Sequence, residues 1–203
     1  MTRVVLASGN PGKLRELTAL LEPLKLSLVP QGQLGIQAAE ETGSTFLENA
    51  LLKARHAAQC AQLPALADDS GIEVDALGGR PGVWSARFAG PGASDDDNLR
   101  RLLAELAGVP EARRGARYRC VIVLLRGPQD PQPLVAQAAW EGHIASAPRG
   151  AGGFGYDPIF VPAGGERRAA ELPAAEKNAV SHRGRALAQL VAMLTREDYI
   201  SRP

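Results

Sequence analysis

Five short stretches of this sequence carry side chains that could do chemistry. The first is Ser8-Gly9-Asn10-Pro11-Gly12-Lys13. A glycine-bearing loop that opens a helix can bring a phosphate to backbone N–H groups at the positive end of the helix dipole, and Lys13 would add a point charge. It is not a Walker A loop, because Leu14 stands where a Ser or Thr would bind Mg²⁺. A tight strand-to-helix turn with a surface lysine would carry the same letters. The second is the set of acids Glu40, Glu41, Asp68 and Asp69. Mg²⁺ takes oxygen ligands, usually one or two protein carboxylates completed by phosphates and water. Asp68 and Asp69 precede the polar turn Ser70-Gly71, and neighbours on a strand point to opposite faces. One of the pair can therefore serve a site while the other is held by backbone groups. Solvated acids in a turn are the competing reading, and for Glu40-Glu41 alone it is the stronger one.

The third is Lys53, which taken alone is a solvated residue on a helix face. His56, three residues on, reads as a surface histidine. The fourth is Gly152-Gly153-Phe154-Gly155-Tyr156-Asp157-Pro158-Ile159-Phe160. Aromatics are only 4% of the chain, yet Phe154, Tyr156 and Phe160 gather here among glycines. Such a loop suits stacking on a flat ring; a hydrophobic plug beneath a loop is the equal alternative. The fifth is Glu176-Lys177-Asn178-Ala179-Val180-Ser181-His182-Arg183-Gly184-Arg185. Lys177 and Arg183 can donate hydrogen bonds but never accept them; composition alone reads the stretch as a basic, solvated helix start. Together the five stretches list the parts of a nucleoside triphosphate site: a phosphate loop, metal carboxylates, a stacking ring and donors for a base edge.

The elements that must position these groups follow from hydrophobic spacing. Residues 4–7 read as a buried strand. Leu14, Leu17, Leu20, Leu21 and Leu24 recur at helical spacing, and residues 26–29 form a second strand. Thr45 with Glu48 is a capping box that opens a helix over residues 45–62. Residues 65–67 and 72–75 read as two strands separated by the polar break at Asp68-Asp69-Ser70-Gly71. Ser94 opens a helix over residues 95–106. Residues 118–125 and 134–144 pair as a hairpin, residues 158–161 form a short strand, and residues 181–196 close the chain as a helix. Strands mixed with helices and hairpins indicate a mixed α/β fold and not a pure βαβ alternation.

Composition limits the function. The 203 residues suit one domain, residues 1–203, either of generous size or folded as two lobes around a cleft. The charge balance, 23 Lys+Arg against 22 Asp+Glu, lacks the basic excess that affinity for a nucleic-acid polymer needs. Cys60 and Cys120 match no metal or redox spacing and read as reduced thiols. No apolar run reaches the ~18 residues of a membrane span, and residues 4–7 are too short for a secretory signal. A cytoplasmic protein that binds no membrane is expected.

The motifs, taken in order, resemble the inosine/xanthosine triphosphate pyrophosphatases. The resemblance rests on residues 8–13, Glu40-Glu41-Thr42-Gly43 with residues 46–57, Ala67-Asp68-Asp69-Ser70-Gly71, Leu77-Gly78-Gly79 with Pro81-Gly82, Ser85-Ala86-Arg87, Phe154-Gly155-Tyr156-Asp157-Pro158, and Glu176-Lys177 with Ser181-His182-Arg183-Gly184. It covers nearly the whole chain; Ser8, where many members have Thr, keeps the hydroxyl. The resemblance implies an elongated central sheet with flanking helices, two lobes around a central cleft, Mg²⁺ dependence and a homodimer. It implies hydrolysis of ITP, dITP and XTP to the monophosphate and pyrophosphate. Ser8, Gly9, Asn10, Pro11, Gly12 and Lys13 would bind the phosphates, with Lys53 as a further phosphate-side lysine. Glu40 and Asp69 would hold the metal, and Asp69 would accept the proton of the attacking water. Ser70, Phe154, Gly155, Tyr156, Asp157, Lys177, His182 and Arg183 would contact substrate. Lys177 and Arg183, as donors only, would suit the 6-keto oxygen of hypoxanthine or xanthine and oppose the 6-amino group of adenine.

Overall fold

The computed structural model describes residues 3–22 and 26–197. Its elements run β1 (Arg3–Leu6), α1 (Pro11–Leu21), β2 (Ser27–Pro30), α2 (Phe46–Ala61), β3 (Ala65–Val74), α3 (Asp95–Glu105), β4 (Gly115–Leu125), β5 (Leu134–Ile144), β6 (Phe160–Pro162), α4 (Ala174–Val180) and α5 (His182–Glu197). Six strands form one sheet in the order β2-β1-β3-β4-β5-β6. β1 pairs parallel with β2 and β3, and β5 pairs antiparallel with β6, so the expected mixed α/β architecture is present. Leu24 of the first helical pattern lies outside the described residues.

The chain divides into two compact units. Unit 1 takes the described residues up to Asp69, Cys120–Ala138 and the described residues from Arg183; unit 2 takes Ser70–Arg119 and Ala139–His182. Each has its own core. In unit 1, Leu17 and Leu21 of α1 and Ala186, Leu187 and Leu190 of α5 pack with Val4, Leu6, Leu66, Ile122 and Leu124 from the strands. Leu190 is fully buried, so truncation to Ala would leave a cavity costing about 2–5 kcal/mol. In unit 2, Leu99 and Leu102 of α3 pack with Ile72, Val74, Trp140, Ile144 and Phe160. Both cysteines are free. Burial pushes the Cys120 thiol up to about 12, so it behaves as a small apolar side chain.

Local sequence rules set the helix ends. Thr45 accepts the N–H of Glu48 while Glu48 accepts the N–H of Thr45, which fixes the start of α2. Ser94 and Asp97 close the same box on α3.

The strands depart from the hydrophobic pattern more than the helices do. β3 is continuous across Asp68-Asp69-Ser70-Gly71, where a polar break was expected. The carboxylates do not interrupt it because cations distant in sequence neutralise them inside the fold. Gly71 belongs to the strand for a steric reason. A Cβ there would meet Ser85 Oγ at 2.4 Å and Gly82 O at 2.5 Å. Ser85 Oγ itself accepts the Ile72 N–H and donates to Gly82 O. The glycines and serine of these motifs are thus partners in a close backbone approach. Finally, β4 begins at Gly115, β6 covers Phe160–Pro162, and α4 is a separate helix ended by extended backbone at Ser181.

Candidate active site

In unit 1, Asn10 is the N-cap of α1. Its Oδ1 accepts the N–H of Gly12 at 2.8 Å and of Lys13 at 3.1 Å, and Ser8 Oγ accepts the Asn10 N–H at 3.2 Å. Two helix N–H groups expected to face a phosphate are therefore satisfied within the loop, and Pro11 at the first turn has none to offer. The Lys13 ammonium is the loop's strongest remaining group for an anion. It lies 3.2 Å from Asp68 Oδ2.

Asp68 and Asp69 leave β3 toward different partners, as alternation requires. Asp68, whose side chain is fully buried, pairs with Lys13 and with Arg183, whose Nη2 donates at 2.9 Å. Arg183 also donates through Nη1 to Glu16 of α1. Burial would raise the Asp68 carboxyl, but Lys13, Arg183 and Lys53 outweigh it and hold it well below the usual carboxylate range. Asp69 Oδ1 accepts from Lys53 Nζ at 2.8 Å, and Oδ2 accepts from Asn49 Nδ2 at 3.3 Å. Here burial is the larger influence and lifts the carboxyl above its ordinary value against Lys53 and Lys13. The same geometry raises the Lys53 ammonium: burial opposes its charge, and Asp69, Asp68 and Glu41 outweigh that opposition. Two adjacent acids are thereby driven apart, Asp68 toward a fixed charge and Asp69 toward a carboxyl that holds a proton more readily.

Lys53 Nζ also donates to Glu41 at 3.0 Å. Its neighbour Glu40 is exposed and makes no ion pair among the described residues. Asp69 and Glu40 are hard oxygen donors, the type Mg²⁺ selects. No cluster of three or more His, Cys, Asp or Glu forms a metal cage among the described residues. One or two carboxylates with the rest of the shell left to phosphate and water is the pattern that fits Mg²⁺.

Unit 2 holds the second group of candidates, and its aromatic loop divides. Tyr156 and Phe160 are buried in the core, with Tyr156 Oη donating to Ser85 O at 2.8 Å. They are the hydrophobic plug, and only Phe154 keeps partial exposure. Asp157 accepts the Phe154 N–H at 3.0 Å and Lys177 Nζ at 2.6 Å, and the Lys177 ammonium lies 5.0 Å from the centre of the Phe154 ring. Gly155 N–H donates to Asp95 at 2.7 Å. His182 is buried and stacks on Tyr118, with ring centroids 4.6 Å apart and planes 5° apart. Ser70 continues β3 beyond Asp69.

The Ham1 family profile matches residues 4–193. The chain belongs to the Ham1 family. It is 59% identical over 192 residues to a dITP/XTP pyrophosphatase of Methylococcus capsulatus, covering 95% of this chain and 96% of the relative. It is 61% identical over 188 residues to a dITP/XTP pyrophosphatase of Yersinia pseudotuberculosis, covering 92% and 95%. The solved structure of a HAM1 protein from Coxiella burnetii superposes with a TM-score of 0.89 at 49% identity, covering 97% of this chain and all of that one.

Within this Ham1 chain the sequence reading brings together Lys13, Lys53 and Asp69 in unit 1, and Phe154, Asp157 and Lys177 in unit 2. Arg183, expected beside a base, has its guanidinium on Asp68 and Glu16. Asn49 and Glu16 were not among the expected site residues, and Glu41 entered only as one of four candidate acids. Asn49 was within reach: it precedes Lys53 by four residues, which puts both on one helical stripe.

Proposed function

We propose that this chain hydrolyses dITP, XTP and ITP at the α-phosphorus, releasing pyrophosphate and the nucleoside monophosphate, and so removes noncanonical purines from the nucleotide pool. The observation that carries this reading is Asp69, a buried carboxylate with a raised affinity for protons, held 2.8 Å from the Lys53 ammonium on a Ham1 framework. Asp69 accepts the proton of the attacking water. Lys13 and Lys53 face the negative phosphate oxygens, and their pairing with Asp68 and Asp69 holds the ammonium groups in place before substrate arrives. Ser8, Gly9, Asn10, Pro11 and Gly12 form the loop that carries Lys13.

Asp69 and Glu40 would hold Mg²⁺, which when bound offsets charge on the phosphates. In unit 2, Phe154 offers its ring face, and Gly155, Tyr156 and Asp157 shape the loop beneath it. Lys177 donates to the 6-keto oxygen. Arg183 is held by Asp68 and Glu16 and Lys177 by Asp157; Lys177 is the donor beside the Phe154 ring, so the 6-keto oxygen is given to it first. His182 and Ser70 complete the contacts. A single nucleotide as substrate fits the near-zero net charge. A homodimer in the cytoplasm belongs to the same reading, and no described helix is long and apolar enough to cross a membrane.

The test is pyrophosphate release from dITP, XTP, ITP, GTP and ATP, with and without Mg²⁺. The reading expects metal-dependent pyrophosphate from the first three and little from ATP. Equal rates on ITP and ATP, or orthophosphate as product, would overturn it.

A further inference from the structure

The segment between the short helical turn at Gln31–Leu34 and α2 has no regular structure, yet it carries Glu40 and Glu41. One stripe of α2 holds it. Asn49, Lys53 and His56 lie at i, i+4 and i+7, a single helix face. His56 Nε2 donates to Gln37 O at 2.9 Å, a direction fixed because a carbonyl can only accept. Lys53 donates to Glu41 at 3.0 Å. Asn49 Oδ1 accepts the Gly43 N–H at 2.8 Å. The contact at Gly43 is close: a Cβ there would meet Asn49 Oδ1 at 2.7 Å.

Asn49 does something its two neighbours do not. It is fully buried, and its other amide atom, Nδ2, donates to Asp69 Oδ2 at 3.3 Å. One side chain therefore accepts from the acidic segment and donates to the proton acceptor. A primary amide offers a donor atom and an acceptor atom side by side whatever the pH. Asp69 is consequently gripped at each oxygen by a different α2 residue, Lys53 on Oδ1 and Asn49 on Oδ2. A carboxylate held by one donor can rotate about its terminal bond, and a second donor removes that freedom. A buried amide at this position would otherwise lose water without a return.

We infer that Asn49 is a positioning residue for the hydrolytic reaction: it sets the orientation of the Asp69 carboxylate and ties the Glu40–Glu41 segment to the same helix. The inference rests on the pyrophosphatase reading, so wild-type activity on dITP is measured alongside.

Two substitutions separate the two bonds. Asn49→Asp, assayed at a pH where its own carboxyl is ionised, keeps an acceptor for Gly43 but loses the donor to Asp69, whereas Asn49→Ala loses both. For N49D we expect kcat on dITP to fall about ten- to a hundredfold, the range typical of partners that orient active carboxylates and metal ligands. KM should stay within about threefold, and hydrogen exchange at the Gly43 amide should stay near wild type. For N49A we expect at least the same loss of kcat together with faster exchange at Gly43. Thermal unfolding of both variants separates these effects from loss of fold. An N49D enzyme that keeps wild-type kcat overturns the inference. So does a loss in both variants that only tracks the fraction unfolded, or a loss confined to KM. Wild type that releases no pyrophosphate from dITP overturns the functional reading instead.

Discussion

In unit 1, the cations Lys13, Lys53 and Arg183 share the carboxylates Glu16, Glu41, Asp68 and Asp69. In unit 2, the candidate residues present one ion pair, Lys177 with Asp157, set beside the Phe154 ring, while His182 stacks on Tyr118. Both arrangements bury charge, but they differ in its density. The first has the dense, alternating charge that a triphosphate and a metal require. The second has one donor and flat apolar surface, which is what a purine offers in return. On the proposed function, chemistry would fall to unit 1 and recognition to unit 2. Substitutions in unit 1 should act on kcat or stability; those in unit 2 should act on KM and on the choice among bases.

The largest expected effect is on chemistry. Asp69→Asn keeps the size and an acceptor oxygen but removes the base, so kcat on dITP should fall about 10²- to 10⁴-fold while KM changes little. Steady-state pyrophosphate release reads both constants. A variant that kept kcat and lost KM would break the division between the units at its strongest point. The next effect is on stability. Asp68→Ala would leave Lys13 and Arg183 beside each other without their shared carboxylate, the circumstance in which a broken buried pair costs about 3–5 kcal/mol. Urea unfolding at neutral pH would measure it. A loss below about 1 kcal/mol would mean that Glu16 alone satisfies Arg183.

Legibility in the sequence followed the range of the interactions. The start of α2 could be read because the capping box closes within three residues. The continuity of β3 could not, because it depends on Arg183 reaching Asp68 across 115 positions of sequence. The same limit explains the base-side arginine. Its type and position matched a donor for a keto group, but its buried partner lay elsewhere in the chain. The loop at residues 8–13 lies between β1 and α1 as its glycines suggest, yet the capping amide of Asn10 satisfies N–H groups that the helix-end argument leaves for a ligand. Composition drew attention to three aromatics, and only the fold could divide them into one ring at a surface and two in a core.

Recognition should respond more weakly, and differently. Lys177→Met removes the donor proposed for the 6-keto oxygen, an interaction to a charged group that contributes about 1.5–3 kcal/mol. The variant also leaves Asp157 without its ammonium partner, so rates on all substrates should drop. The ratio of kcat/KM for dITP to that for dATP cancels the shared loss and should fall by about ten- to a hundredfold. An unchanged ratio would move base selection from Lys177 to another donor.

Phe154→Ala is the smallest of these effects and the sharpest test of the comparison. Stacking of one base on one aromatic is worth about 1–3 kcal/mol. Every base has a π-face, so the loss should be similar for dITP and XTP, and it should appear in KM with kcat nearly unchanged. Lys177 would also lose the ring 5.0 Å from its ammonium, which adds to the loss without favouring either base. Phe154→Trp should restore the KM. The alternative outcome is equally informative, because Tyr156 and Phe160 in the same loop already serve as core. If Phe154→Ala left KM alone and lowered the thermal midpoint, Phe154 would belong with them. The loop would then be a plug throughout, and recognition in unit 2 would rest on Lys177 and its carboxylate.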